Sequence, residues 1–430
     1  MYAGGNEKSH RVGSQSLKEL AEWQLNATRV CELTLQAGRE MKEQQTTMVE
    51  DHHQREASRP LTAPRETSSD APDNLPEVGV VEMDGGRIRT RDEHGPRGVT
   101  DPHWREFQAG CVVRLQSEES VDDPRPEVPQ LFLNRPKVQK LVSQLHRQRK
   151  ATQEETTSDE SIAEILAKEK LTENASDPIT STATEPAKHS TESKRPVRLQ
   201  RTCVATLEGA DACGRILAAE SAKRGLDQAS RKGFVGDGQS CNWTVCERYF
   251  KRYGFVAILD FIHLLSYVYA VAMAVGRDAD DGWRLHLEWI TALWKGRAAD
   301  VLAQWRVLAQ EFDVPHEQAL PENDARRPIQ RGLTYLANNL ERVDYPRYRR
   351  LGLPVTSTLM ESLVKEFNLR VKGTEKFWND PQGAEAILTI RAALLSEDDR
   401  FDEFFDNRPG CRYRRRSTLE KEQVLQAVAA

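Results

Sequence analysis

No apolar run in this 430-residue chain is both long enough and free enough of charge to cross a bilayer. The longest, Phe255 to Val275, is interrupted by Asp260 and His263 and crowded with aromatics, so it reads as a buried strand followed by a helix. Met1 to Gln15 contains no apolar h-region, so secretion is not expected and the chain is placed in the cytoplasm. No CxxC pair occurs either. The seven cysteines (Cys31, Cys111, Cys203, Cys213, Cys241, Cys246 and Cys411) are odd in number and scattered, which fits neither a disulfide framework nor a zinc ribbon. Cys241 and Cys246 are the closest pair, yet no second pair or His-x-x-x-His accompanies them, and they read as small buried apolar side chains. Positive charge is not in excess: 61 Lys and Arg stand against 66 Asp and Glu, a net charge of −5. Without a global basic field, any contact with nucleic acid has to come from local patches.

The length allows two or three domains, and a composition of 38% hydrophobic and 30% charged residues implies that a sizeable part is not packed core. Residues 1–45 form a helical region. Within it, Leu17, Leu20, Ala21, Leu25, Val30, Leu33 and Leu35 fall near helical spacing, and Asn26-Ala27-Thr28 marks a break. Two short helices of this kind are compatible with part of a helix-turn-helix, or with an ordinary amphipathic pair. Residues 46–76 are polar and predict a linker. Val78 to Met83 is a β-branched run leading into Asp84-Gly85-Gly86, and Arg87 to Arg91 alternates after it, which predicts one long strand or a hairpin about the glycines. Phe107 to Leu115 supplies a second strand, closing a first sheet segment at 77–116. Residues 117–199 shift to Ser, Thr, Glu, Lys and Pro and predict a largely disordered charged insertion, with one basic helical island at Val138 to Lys150. A second segment, 200–263, alternates strand Thr202–Leu207, helix Cys213–Ser230, strand Gly233–Val235, helix Trp243–Tyr253 and strand Phe255–Leu259. Residues 264–348 predict an all-α insertion with Trp283, Trp289, Trp294 and Trp305, which at near-helical spacing are core residues before they are base-stacking wedges. A last helix at Ser357–Val371 lies within 349–410, and 411–430 is a basic tail. The fold class is α/β: a mixed sheet covered on both faces by helices, in the element order of RNase H-like proteins.

Phosphodiester chemistry with two divalent ions needs several carboxylates converging on one spot, because Mg²⁺ takes hard oxygen ligands. Asp84, within the first strand, and Asp237, at the end of a later one, each lie beside glycine, which leaves room for a phosphate to approach the backbone. Taken singly, each Asp-Gly is equally a tight turn. Glu82 shares a strand face with Asp84 and is a further acid, or simply a solvated or salt-bridged strand residue. Asp260 also ends a strand, so a pairing of Asp237 with Asp260 stays open. His263 either orients Asp260 or a phosphate, or is a hydrogen-bonded core histidine. Arg349 and Arg350, Arg370, Lys372 and Lys376, and Arg412 to Arg416 form local basic runs that read as phosphate contacts or as solvated surface.

Four segments, VEMDGGRIRTR (Val81–Arg91), GDGQSCNW (Gly236–Trp243), LDFIH (Leu259–His263) and TSTLMESLVKEFNLRVKGTEKFW (Thr356–Trp378), together resemble bacterial insertion-sequence DDE transposases of the mutator-like group. The resemblance covers about residues 78–116 and 200–410. It implies that Asp84, Asp237 and Glu361 are the catalytic, metal-holding acids, and that Asp260 with His263 is the family's Asp-x-x-His signature. It further implies Mg²⁺, with Mn²⁺ as a substitute, and DNA partners in the form of terminal inverted repeats and target. A homodimer or higher oligomer would pair two ends at the nucleoid. The chemistry expected is end cleavage followed by strand transfer, without a covalent enzyme intermediate, since nothing singles out a nucleophilic Tyr or Ser. A nuclease that cuts without joining, or an inactive DNA-binding relic, are the rival readings. Relatives often carry a cysteine cluster or a fuller DNA-binding region before the first strand, and this chain's cysteine-poor N-terminal part departs from that pattern.

Overall fold

In the computed structural model, residues 1–58, 76–90, 103–150, 195–316, 318–372 and 377–409 are described, apart from the side chains of His103, residues 147–150, Thr358, Leu359 and Glu361. Lys376, Cys411 and the basic tail therefore lie outside the described residues. So do 59–75 of the expected linker and 151–194 of the expected insertion.

The chain opens with helices α1 (Tyr2–Asn6), α2 (His10–Ala21) and α3 (Ala27–Ala57). Strands β1 (Val78–Thr90) and β2 (His103–Gln116) follow, then helices α4 (Gln130–Leu133) and α5 (Arg135–Lys150) and strand β3 (Val197–Thr206). Helix α6 (Ala210–Lys223) leads to β4 (Arg231–Gly236), α7 (Ser240–Val245) and β5 (Val256–Leu259). The helical remainder comprises α8 (Phe261–Val275), α9 (Ala279–Trp294), α10 (Ala298–Glu311), α11 (Arg327–Asn338), α12 (Tyr345–Arg350), α13 (Thr358–Val371), α14 (Pro381–Leu395) and α15 (Arg400–Asn407).

The five strands form one mixed sheet in the order β3-β2-β1-β4-β5. β1–β2 and β2–β3 are antiparallel, as a meander requires, whereas β1, β4 and β5 run parallel and are joined through helices. Val80, Val81, Met83, Val112, Val113, Phe234 and Val235 are buried, so the central strands have no solvent face, in keeping with helices on both sides. Trp289, Trp294 and Trp305 are buried core residues. Trp289 meets Trp305 edge-on at 5.6 Å, and Trp294 meets Phe261 edge-on at 4.8 Å.

Two expectations drawn from composition are corrected. Residues 46–57, read as linker, continue α3 to Ala57, because its buried positions Val30, Thr34, Ala37, Gly38, Met41 and Val49 recur at helical spacing on a polar background. At Gly38 a Cβ would come within 2.3 Å of the Ala386 carbonyl oxygen, so glycine lets α3 lie directly on α14. Residues 117–137, read as disordered, include α4 and the start of α5, whose remainder is the helical island expected at Val138 to Lys150. Val138, Leu141, Val142 and Leu145 are buried as one stripe of α5, and Phe132 of α4 packs at 5.2 Å on Phe261. Each such side chain contributes at most about 1.5–3 kcal/mol on leaving water, enough to hold a basic helix whose other face stays wet. The break after α2 spans 22–26. The second N-terminal helix is 31 residues long rather than short.

Candidate active site

The register of the parallel strands builds the site. Met83 of β1 pairs with Gly236 of β4, and Gly236 pairs with Leu259 of β5. The next residue on each strand is an aspartate, so Asp84, Asp237 and Asp260 stand side by side at one level of the sheet, on strands about 4.8 Å apart.

Each aspartate is held differently. The Asp84 carboxylate accepts from the Gly85 amide at 2.7 Å and is half-buried. Asp237 accepts from the backbone amide of Gln239 at 3.0 Å, from the Gln239 side chain at 2.9 Å and from Asn242 Nδ2 at 2.9 Å. The Tyr335 hydroxyl donates to the Asp237 carbonyl at 2.7 Å. Gly238 takes φ +93°, and a Cβ there would lie 2.5 Å from the Tyr335 ring, so the turn that presents Asp237 requires glycine. Asp260 is fully buried and caps α8. Its carboxylate accepts from the amides of Ile262 and His263, each at 3.3 Å, from the Ser357 amide at 3.0 Å, and from His263 Nδ1 at 2.6 Å. Four polar partners surround this one carboxylate and hold the imidazole against it. Asp260 is thus saturated, which makes it an organiser of the site and leaves Asp84 and Asp237 as its accessible acids.

Glu82 is buried, so the reading of it as a solvated strand residue is corrected. Its carboxylate accepts from the Met360 amide, in the first turn of α13, at 3.2 Å. Together with the Ser357–Asp260 bond, this ties the start of α13 over the ends of β1 and β5. The backbone of Glu361, next in sequence to Met360, is thereby brought to the same sheet edge. Its side chain lies outside the described residues.

Burial and crowding of like charge dominate the electrostatics. Burial, reinforced by the Asp260 charge, pushes the Glu82 carboxyl up to about 8. Burial and then the Asp237 charge push Asp84 up to about 7, with His263 opposing. Asp84 and Asp237 therefore present two hard-oxygen donors whose charges repel, a donor set suited to a divalent cation. Among the described residues, no three His, Cys, Asp or Glu side chains form a metal-holding group.

The basic residues fare differently. Arg349 is buried with its guanidinium on Asp123 (Nε–Oδ1 2.8 Å), on the Trp294 carbonyl at 2.9 Å and over the Trp294 ring at 4.2 Å. Arg370 is also buried, and donates to the Gly4 carbonyl at 3.1 Å. Both are structural arginines, and the reading of them as phosphate contacts is corrected: each anchors a distant segment of chain to the core. Arg350 is half-buried, and its carbonyl accepts from the Ser120 amide. Lys372 is half-buried beside Trp104. The sequence reading missed Gln239, Asn242 and Tyr335 as supports of Asp237. Asn242 was the legible one, since it falls in the first turn of the helix that follows the Asp-Gly.

Fold and site together define a class no finer than a mixed α/β protein with an acid cluster at one level of three adjacent parallel strands. No family model matches the chain, and no curated protein matches it.

Proposed function

We propose that the chain is a metal-dependent phosphodiester-processing enzyme of RNase H-like fold, acting on DNA as an insertion-sequence transposase. The observation that carries this reading is the alignment of Asp84, Asp237 and Asp260 at one level of three parallel strands, with the start of α13 tied to Glu82 and Asp260. It is supported by the adjacency of the first and fourth strands, which the family's sheet shares.

Asp84 and Asp237 would hold the metal, with Glu361 as the third carboxylate from α13. Held by these carboxylates, Mg²⁺ or Mn²⁺ would supply Lewis acidity towards a water or 3′ hydroxyl and towards the phosphate. The protein's own residues do the rest. Gln239 and Asn242 orient the Asp237 carboxylate, and Asp260 with His263 fixes α8 and α13 as a rigid floor. Gly238 lets Tyr335 pack against the turn that carries Asp237.

The test is cleavage and strand transfer on a duplex carrying the flanking terminal repeat, with Mg²⁺ or Mn²⁺. Asp237→Ala and Glu361→Ala should each lower the rate by at least about a thousandfold, the scale expected when a group stabilising transition-state charge is removed. Joined products lost in both variants support a transposase, and cutting without joining supports a nuclease. Wild-type activity in either variant would sink the assignment.

A further inference from the structure

Between α6, the last turns of α3 and the continuation of α7 lies a cavity of about 220 Å³. α7 continues as a π-helical turn, Cys246–Phe250, and a further short helical turn, Lys251–Tyr253. Turns of the π type are rare and gather at functional sites. This one brings Arg248 and Tyr249 to the cavity, and the turn after it adds Arg252 and Tyr253. At Gly214 a Cβ would lie 2.7 Å from the Val245 side chain and 2.9 Å from the Tyr249 ring, so glycine lets α6 lie directly against the π turn. Among the lining residues Val49 and Ala218 are buried, whereas His53, Arg248 and Arg252 are exposed, which gives the cavity an apolar floor and a basic mouth.

Three guanidiniums here share two carboxylates. Asp211 accepts from the Tyr249 hydroxyl at 2.9 Å and pairs with Arg248. Glu56 accepts from the Tyr253 hydroxyl and lies 3.4 Å from Arg252. Arg215, half-buried in α6, has no such partner: its Nε is buried without a hydrogen bond, and its guanidinium makes no ion pair, among the described residues. A guanidinium does not give up its proton, and a buried donor left without an acceptor costs free energy. An anion seated in the cavity supplies that acceptor.

Size narrows the choice of anion. At about 30 Å³ per water the cavity takes roughly seven water volumes, below the roughly 300 Å³ at which pockets for drug-sized ligands begin. It therefore admits an anionic group on a body no larger than one ring. The guanidinium fork matches the paired oxygens of a phosphate, and Arg252, whose contact with Glu56 is long, is a second cation for a dianion. The rings of Tyr249 and Tyr253, with Ala57 and Ala218, suit an apolar body. We propose that this cavity binds a small phosphate monoester with a compact, single-ring body, anchored by Arg215 and met at the mouth by Arg252. The assignment does not rest on the phosphodiester-processing reading, because the cavity shares no lining residue with the acid cluster.

The experiment titrates the full chain in EDTA with phenyl phosphate by isothermal calorimetry, with benzoate, inorganic phosphate and a short DNA duplex as competitors. The wild-type chain should bind one equivalent with a Kd of about 0.1 mM or tighter. Arg215→Ala should weaken binding about ten- to a hundredfold, the scale of lost charge-assisted hydrogen bonds. Arg215→Lys keeps the charge without the fork and should recover only part of the affinity. Ala57→Leu, at an exposed lining position that leaves every charge in place, should weaken phenyl phosphate more than inorganic phosphate. Unchanged affinity in both Arg215→Ala and Ala57→Leu, or no phenyl phosphate binding by the wild-type chain, would overturn the inference. Benzoate bound as tightly as phenyl phosphate would overturn the choice of phosphate. Displacement of phenyl phosphate by the duplex would make these arginines a backbone-contacting surface and overturn the small-ligand site.

Discussion

Two carboxylate clusters in this molecule have opposite electrostatics. Glu220 of α6 and Asp398, just before α15, are interlocked with Arg224 and Arg400: Arg400 reaches both acids at 3.0 Å, and Thr202 donates to Asp398 at 2.6 Å. Arg224 pairs with both as well. Despite burial, the arginines hold both carboxyls below their ordinary values. At the strand ends, Glu82 and Asp84 are pushed up instead. Among the described residues, no arginine or lysine forms an ion pair with Asp84 or Asp237, whose partners are an amide hydrogen or side-chain amides. The difference separates carboxylates neutralised by arginines within the fold from carboxylates that crowd one another.

The largest effect expected from that contrast is on stability. Arg400→Ala would leave Glu220 and Asp398 short of a buried partner and should cost about 3–5 kcal/mol, read as a lowered urea midpoint. Glu82→Gln removes a carboxyl that is costly to ionise where it sits, and should be neutral or stabilising at pH 8. Equal losses in the two variants would erase the distinction between the clusters.

The pH dependence sharpens it. Glu82 near 8 and Asp84 near 7 lie above their ordinary 4.5 and 3.8. The unfolded chain releases these protons first, so in EDTA stability should fall by several kcal/mol as pH rises from about 4 towards 8. The lowered carboxyls of Glu220 and Asp398 act in the opposite sense: their stabilisation is present above the unfolded values near 4 and is lost as pH falls below them. Urea midpoints across pH should therefore peak near the acid end of this window, and Glu82→Gln should flatten the alkaline limb. A wild-type chain that becomes more stable from pH 5 to 8 would contradict the crowding of Glu82 and Asp84.

A third, smaller effect concerns the cation itself. If Asp84 and Asp237 hold Mg²⁺ or Mn²⁺, saturating metal should raise the thermal midpoint by the equivalent of about 1–3 kcal/mol, the range that mass action gives at ten to a hundred times Kd. Asp84→Asn and Asp237→Asn should abolish the rise without lowering the metal-free midpoint. A metal response that persists in both variants would move the binding site elsewhere.

These contrasts also mark what could be read in advance. The aspartates announce themselves because apolar runs stop at Asp84, Asp237 and Asp260, and the parallel register needs only strand order to align them. Ordered polar helices do not. α3 beyond residue 45 hides one narrow apolar stripe among Gln, Glu, His, Lys and Arg, so composition alone pointed to linker. The arginines misled for a related reason. Arg349 and Arg370 sit in basic runs, yet their guanidiniums are consumed by Asp123, the Trp294 carbonyl and the Gly4 carbonyl, partners far away in sequence. Long-range partners set the role of an arginine, and they leave no local pattern.

The smallest effect isolates the neutral part of the site from the charged part. Tyr335 stacks on Tyr267 at 3.8 Å and donates its hydroxyl to the Asp237 carbonyl, so it props the backbone of the acid without touching its carboxylate. Tyr335→Phe keeps the stack and removes one half-buried neutral hydrogen bond, worth about 1 kcal/mol of stability. It should leave the alkaline limb of the pH profile unchanged, because no charge is added or lost near Asp84. A flattened limb in this variant, like that expected of Glu82→Gln, would mean that the Asp237 backbone had shifted enough to relieve the crowding, and that the charged cluster depends on its neutral prop.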